Sequence, residues 1–306
     1  MAGVVALAAP LDAAAAEPTH AIGLAQAREI LFSADKRSVA EERCGTGAER
    51  EQIACFVALR FAEDAKAAKL AVDLYERTGT VAGTLPEQDF DGAYRGRLHL
   101  VPKLPVGPHR RHLEWAAAAL LELDDFFADL QRDAPVNYRW KPLDLRFFES
   151  VKRRTPSAWA SGWEVAYNVS GSLFGSAAGV RETMFHEVFH LNDFARGQWS
   201  QRALADVYGR IVARCGTRIG CLAPYAPDPI IVRGGTYYAF MPDNGVAEYA
   251  ADLAKRYYVE HRALMRKQKL PGRPFKCLAP ENAEAWRRVS QEFFGGVDRV
   301  PACEGG

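Results

Sequence analysis

The chain contains 306 residues, of which 48% are hydrophobic and 25% are charged, and its formal net charge is +1. A chain of this length can bury a substantial core, as one large domain or as two smaller ones. The nearly neutral charge excludes strong electrostatic steering of the whole molecule towards nucleic acid or anionic membranes, and no nucleic-acid partner is expected.

Residues 1–16 are mostly apolar and rich in alanine, and the chain turns polar directly afterwards. Residues 3–10 resemble the apolar part of a signal peptide, and residues 13–16 offer the small side chains of a cleavage site, but a basic segment before them is missing. Either the native start lies upstream or the segment is a disordered alanine-rich tail. We favour export, with residues 1–17 as the leader and a secreted or periplasmic location. No later stretch reaches the roughly 18 apolar residues that a membrane span requires.

Apolar residues that recur at helical spacing predict helices along most of the chain. The predicted helices lie at residues 21–32, 49–77, 109–132, 180–194, 201–214, 246–266 and 281–294. Extended structure is predicted at 94–101, 137–150 and 163–169, and breaks or irregular loops at 79–86, 171–179 and 215–235. These elements predict an α+β fold dominated by helices, with a small sheet preceding helix 180–194. A domain boundary is predicted near Pro135, after a mainly helical region at 18–135.

The cysteines provide a second indication of export. They fall into sequence-local couples, namely Cys44 with Cys55, Cys215 with Cys221, and Cys277 with Cys303. Spacing alone does not determine the connectivity of such a set. An even number of cysteines placed like loop staples indicates disulfides formed in an oxidising compartment. A cysteine-bound zinc ion is the alternative, but the chain contains no Cys-x-x-Cys pair.

The motif His186-Glu187-Val188-Phe189-His190 lies within the predicted helix 180–194. Residues four apart lie on the same helix face, so His186 and His190 can bind one zinc ion. Glu187 is then placed to act as a general base towards a water molecule at the metal. Two buried histidines beside a buried glutamate would be costly without a metal or other partners.

A zinc ion in a hydrolase has three protein ligands and keeps one position open. The longer pattern HExxHxxGxxH fails here, because Asp193 and Arg196 occupy its glycine and third-histidine positions. Asp193 is instead interpreted as a cap or a supporting group. Glu248, on the predicted helix 246–266, is the candidate third ligand. Asp252 lies one turn later on the same face and can accept the far N–H of a ligand histidine.

These residues resemble the gluzincin-type zinc metallopeptidases, in which HExxH is followed downstream by a helix that carries a Glu-x-x-x-Asp pair. The resemblance covers residues 163–258 and rests on the two motifs and their flanks. It implies that residues 136–306 form a zincin-like catalytic region, with a twisted sheet above the motif helix. It further implies that the edge strand of this sheet binds extended peptide, a role assigned to residues 163–169.

The implied activity is zinc-dependent hydrolysis of a peptide or protein substrate, with one zinc ion and with Glu187 as the general base. Some members of the group carry a tyrosine shortly before the ligand glutamate that stabilises the oxyanion. Tyr238 is the candidate here and Tyr237 its alternative, although the spacing to Glu248 is longer than in those members. Further candidates are Tyr257, Tyr258 and His261.

Two other functions remain open from the sequence. One is an exported, non-catalytic binding or structural protein that keeps zinc in a closed site with four ligands. The other is an exported effector that cleaves a single host protein. Neither the substrate nor the oligomeric state follows from the sequence.

Overall fold

A computed structural model of the chain describes residues 21–91, 96–232, 234–242, 244–270 and 272–303. The predicted leader at 1–17 lies outside these residues. The helices are α1 (Leu24–Leu31), α2 (Arg37–Cys44), α3 (Glu49–Arg60), α4 (Ala65–Thr78), α5 (Arg110–Leu130), α6 (Ala177–Ala195), α7 (Trp199–Ala203), α8 (Ala205–Cys215), α9 (Ile219–Leu222), α10 (Gly245–Met265) and α11 (Pro280–Phe293). The strands are β1 (Val81–Thr84), β2 (Gln88–Asp91), β3 (Arg97–Pro102), β4 (Asp144–Ser150), β5 (Ala158–Ser161), β6 (Glu164–Asn168), β7 (Ile231–Val232) and β8 (Thr236–Tyr237). The fold is therefore α+β and rich in helix, as predicted.

The main sheet is mixed and curled, and all of its strands precede α6 in the chain. Strand β4 is its centre: β6 runs parallel along one edge, while parallel β1 and antiparallel β3 share the other edge. Strand β5 pairs antiparallel with β6 and ends the sheet on that side. The prediction that residues 163–169 form the edge strand is therefore wrong. The edge is β5, which the sequence analysis missed because its four residues show no clear alternation.

Two predicted helices are each divided in the structure. The prediction at 49–77 gives α3 and α4, because the carboxylate of Asp64 caps the backbone N–H groups of Lys66 and Ala67 at 3.1 Å. The same carboxylate binds the backbone N–H of Gly107 and the guanidinium of Arg110, so a distant loop stabilises the break. The prediction at 201–214 gives α7 and α8, which are separated at Leu204.

Other boundaries also differ from the predictions. The segment 79–86, read as a break, contains β1, whose residues pair with β4 and are almost entirely buried. The extended segment 137–150 becomes a strand only from Asp144 onwards. Helix α2 was not predicted at all, because its few apolar residues give a weak helical pattern.

A large hydrophobic core joins the sheet to the helices. Phe147 and Tyr167 project from the sheet into this core, where α5 and α6 pack together. Their neighbours Phe148 and Ala166 lie on the opposite face of the sheet, in a smaller cluster with Leu98. Buried residues on both sides of Pro135 belong to the large core. The division at 135/136 stays a prediction.

All three predicted cysteine couples are confirmed as disulfides. They join Cys44 to Cys55, Cys215 to Cys221 and Cys277 to Cys303. Among the described residues, no helix is both long and apolar enough to cross a membrane.

Candidate metal centre

Helix α6 carries the HExxH residues and packs against α5, α10 and β5. Ser176 caps its N-terminus by accepting the backbone N–H of Gly179 at 3.1 Å. The helix is buried almost without interruption from residue 183 to residue 193. Its Phe185 ring stacks on the Tyr258 ring of α10, with centroids 4.5 Å apart and planes 10° apart. This contact fixes α6 against α10, the helix that carries Glu248 and Asp252.

Three of the predicted residues converge on one point. Nε2 of His186 lies 3.1 Å from Nε2 of His190 and 3.0 Å from Oε2 of Glu248. The distance from Nε2 of His190 to the same carboxylate oxygen is 3.5 Å. His186, His190 and Glu248 thus form a group that can hold a metal ion. A tetrahedral ion bound at about 2.0–2.1 Å would separate its ligand atoms by roughly 3.3 Å, so these distances fit such an ion.

Asp252 sets the orientation of the first histidine. Its Oδ1 lies 3.0 Å from Nδ1 of His186, so the Nδ1–H of the imidazole donates to this carboxylate. In the neutral imidazole, the lone pair of Nε2 then faces Glu248. Two electron-pair acceptors at 3.0 Å repel each other unless a positive charge lies between them. A bound proton or a metal ion would supply that charge.

The pKa shifts reflect the same demand for a cation. Burial alone would lower the pKa of His186, but its hydrogen bonds to Asp252 and Glu248 outweigh burial and raise this pKa to about 10. Burial would raise the pKa of Glu248, but the hydrogen bonds from His186 and His190 hold it well below its usual range. A metal ion can replace the proton on His186 and contact all three ligand atoms, whereas one proton cannot.

Glu187 lies beside this group and is buried. Burial raises the pKa of its carboxyl group, although His186 and His190 oppose the shift. Its carboxyl group and the three ligand side chains line a cavity of about 610 Å³. The centre therefore lies against a space that can admit a small molecule or a chain segment.

The tyrosine candidates for the oxyanion donor lie in different places in the structure. Tyr238 lines the cavity, and its ring centroid lies 6.4 Å from that of His186. Tyr237 belongs to β8, where it pairs with Ile231 of β7. The hydroxyl groups of Tyr257 and Tyr258 bind elsewhere, to the carbonyl of Val297 and to the carboxylate of Glu122.

His261 also lies away from the centre, since its Nδ1 donates to a backbone carbonyl and its Nε2 accepts the backbone N–H of Arg299. The interpretation of Asp193 as a cap is confirmed. Its carboxylate accepts the backbone N–H and the hydroxyl of Ser200, both at 2.7 Å, at the start of α7. Arg196 binds the carbonyl of Asn192 at 2.9 Å.

Lys255 and Asp228 are site residues that the sequence analysis missed. Nζ of Lys255 lies 2.9 Å from Oδ1 of Asp252 and also contacts the carboxylate of Asp228. Burial would lower the pKa of Lys255, but the two aspartates raise it, so the side chain stays charged. Its position three residues after Asp252 on one helix was a signal in the sequence, whereas Asp228, in an irregular loop, gave none.

This ion pair fixes one wall of the cavity. Asp228 accepts the backbone N–H of Ile230 at 3.0 Å, and the carbonyl of Ile230 accepts the backbone N–H of Tyr238 at 2.9 Å. The segment that carries Tyr238 is thereby tied through Lys255 and Asp252 to the imidazole of His186.

Comparison of the chain with models of known protein families, with curated proteins and with solved structures found no match. The function is therefore argued from the chemistry of this centre.

Proposed function

We propose that this protein is a zinc-dependent peptidase with a zincin-like fold. The observation that carries the proposal is the convergence of His186, His190 and Glu248 at one point beside the buried carboxyl group of Glu187, on the wall of an open cavity. Two imidazoles and one carboxylate are a ligand set typical of hydrolytic zinc, with a fourth position left for water. The gluzincin resemblance supports the same choice of metal.

When bound, zinc supplies a nucleophile at neutral pH and polarises the scissile carbonyl group. Glu187 takes the proton from the attacking water and passes it to the leaving amine. Its raised pKa makes it a stronger base than an exposed glutamate. Asp252 holds His186 in the tautomer whose Nε2 faces the metal position. Tyr238 is the donor that we assign to the developing oxyanion.

Strand β5 supports a peptide as the substrate. It ends the sheet, and its residues Ala158 and Ala160 line the cavity beside the metal centre. A free sheet edge binds an extended chain through backbone hydrogen bonds. We therefore transfer the peptide-binding role from residues 163–169 to β5. The three disulfides and the apolar residues 1–16, predicted to belong to a leader, support a secreted or periplasmic location.

The alternative is an exported zinc protein without catalytic activity. It would close the site with a fourth protein ligand. Among the described residues, the cluster of ligand atoms has three members, and its side chains line the cavity. The buried Glu187 would have no use in a closed structural site. We therefore favour catalysis.

The test is the variant Glu187→Gln. We expect the purified wild-type protein to bind about one equivalent of zinc and the variant to retain it, because Glu187 is not a ligand. The turnover of casein or of a peptide library should fall by about 10²–10⁴-fold, as expected when a general base is removed. Glu182→Gln, on the same helix with a half-exposed side chain that pairs with Arg181, is the matched control. Cleavage by Glu187→Gln at the wild-type rate would refute the proposal.

A further inference from the structure

The lining of the cavity indicates which peptides it accepts. Its charged side chains are Glu187, Glu248, Asp252 and Lys255, and all of them belong to the metal centre or its support. Away from the centre, the lining consists of apolar side chains and neutral hydroxyl groups. A charged substrate side chain in this space would lose its hydration without gaining a partner.

Part of the exposed apolar surface lies at the same place. Among the described residues, the large hydrophobic side chains exposed to solvent include Leu173, Phe194 and Ile230, and all three line the cavity. Their exposed fractions are 43%, 50% and 37%. Exposed apolar surface at a cavity that holds a reactive centre is typical of a ligand-binding surface.

Leu173 and Phe194 lie on opposite sides of the metal centre. The carbonyl of Leu173 packs so closely on Gly179, in the first turn of α6, that a Cβ atom there would lie 2.3 Å from it. Phe194 lies in the last turn of α6, with its ring 6.5 Å from that of His190. The distance from Gly179 to Phe194 along the helix is roughly 22 Å, and His186 lies near its middle. An extended chain of about seven residues spans this length.

Strand β5 provides the matching support for an extended chain. The backbone N–H of Leu173 donates to the hydroxyl of Ser157, next to the first residue of β5, at 3.2 Å. Ala158 and Ala160 pack against the main core, on the α6 side of the sheet, while Trp159 packs on Phe148 on the other side. Small side chains on the cavity side leave room for those of a bound peptide.

From this arrangement we infer that the cavity binds an extended peptide segment and selects it by large apolar side chains, of the leucine or phenylalanine type, on both sides of the scissile bond. The contacting side chains lie about three residues from the scissile bond, one on each side, with one against Leu173 and the other against Phe194. This inference rests on the proposed peptidase function, because it places the scissile bond at the metal centre.

Binding measured without turnover tests the selection directly. The probe is a set of fluorescein-labelled peptides that differ only at the third position on each side of the scissile bond, with leucine, phenylalanine, serine, aspartate or lysine there. Fluorescence anisotropy with zinc-loaded, full-length Glu187→Gln protein reports the affinity. We expect the leucine and phenylalanine peptides to bind roughly tenfold more tightly, or better, than the serine, aspartate and lysine peptides.

Variants of Leu173 and Phe194, the two wall residues, then test whether these side chains produce the preference. Leu173→Ala and Phe194→Ala, each in the Glu187→Gln background, should reduce the preference for large apolar side chains by roughly tenfold. Leu278→Ala is the matched control, because this leucine is 39% exposed but does not line the cavity. Both wall residues are half-exposed, so the variants should fold normally, which thermal melting checks.

The outcomes separate the two proposals. Equal affinity for apolar and charged peptides, or an unchanged preference in both wall variants, would overturn the inference. A dimer that becomes a monomer in Leu173→Ala would also overturn it, since the apolar surface would then contact a second copy of the chain. If the wild-type protein leaves the tightly bound apolar peptides uncleaved, the peptidase proposal fails and the selectivity of the cavity stands. If the protein cleaves the peptides without a preference for apolar side chains, the inferred selectivity fails and the peptidase proposal stands.

Discussion

Two polar clusters join the same pair of helices, and they are built in opposite ways. At one end of the α6–α10 contact, the carboxylate of Glu122 from α5 is surrounded by guanidinium groups. Arg262 and Arg266 contact it directly, and Arg181 lies 3.8 Å away. At the other end, the ligand atoms of the metal centre converge on one point, and the nearby cation Lys255 binds Asp252, outside this group of ligands.

The difference distinguishes a structural cluster from a site that can hold a metal ion. Burial would raise the pKa of Glu122, but its hydrogen bonds from Arg262 and Tyr258 lower it, so the anion is stabilised by the protein itself. At the metal centre, the protein supplies electron pairs and leaves the positive charge to a proton or a metal ion. Removing one group should therefore have different consequences at the two ends of the same helices.

The largest effect is expected for Glu248→Ala. Removal of a ligand should lower zinc affinity by more than about 100-fold, since loss of a mere supporting group already costs 10–100-fold. Competition with a chelator measures this affinity. Glu182→Ala, whose carboxylate pairs with Arg181, is the control and should bind zinc normally. Unchanged zinc affinity in Glu248→Ala would assign the third ligand to another residue.

Glu122→Gln should instead lower the stability of the fold and leave zinc affinity almost unchanged. It leaves partly buried guanidinium groups without their carboxylate, so the free energy of unfolding should fall by about 2–4 kcal/mol. Zinc affinity should change little, because Asp252 and Arg262 are separated by roughly 15 Å along α10. Denaturant unfolding of the metal-free protein measures the loss. Glu76→Gln, at an exposed glutamate, is expected to stay within about 0.5 kcal/mol of wild type.

A smaller effect on zinc is expected for Asp252→Asn. The amide cannot replace the carboxylate as the partner of His186 Nδ1–H, so zinc affinity should fall by about 10–100-fold. The loss should be smaller than that in Glu248→Ala, since all three ligand atoms remain. Asp73→Asn, at a half-exposed aspartate of α4 that pairs with Lys69, serves as the control. A larger loss in Asp252→Asn than in Glu248→Ala would reverse the roles assigned to the two carboxylates.

How well each site residue could be predicted depends on how far apart in the chain the residues that position it lie. The sequence pattern predicts His186, Glu187 and His190 as site residues, because one helix turn brings residues i and i+4 together without help from the rest of the chain. Glu248 and Asp252 follow the same rule on a second helix, although their meeting with the first required a chemical argument about zinc ligands. No sequence pattern indicates Asp228 as a site residue, because an irregular loop has no periodicity that would place it near Lys255.

The same distinction between local and distant interactions applies to the elements of the fold. The helices with strong apolar periodicity, such as α5 and α10, were predicted nearly to their ends. The break between α3 and α4 was missed because Gly107 and Arg110, far along the chain, help to hold Asp64 in its capping position. The edge position of β5 is likewise a property of strand order, which pairing in space determines.

By itself, the amino-acid sequence determined the elements whose physics is local: the metal-ligand spacing, the pairing of nearby cysteines and the strongly amphipathic helices. Only the tertiary structure decided which strand forms the sheet edge, which tyrosine faces the cavity and which lysine supports the ligand histidine. The reason is that these properties depend on contacts between residues far apart in the chain. Such contacts leave no repeating pattern in the sequence, because burial and pairing arise only when the elements pack together.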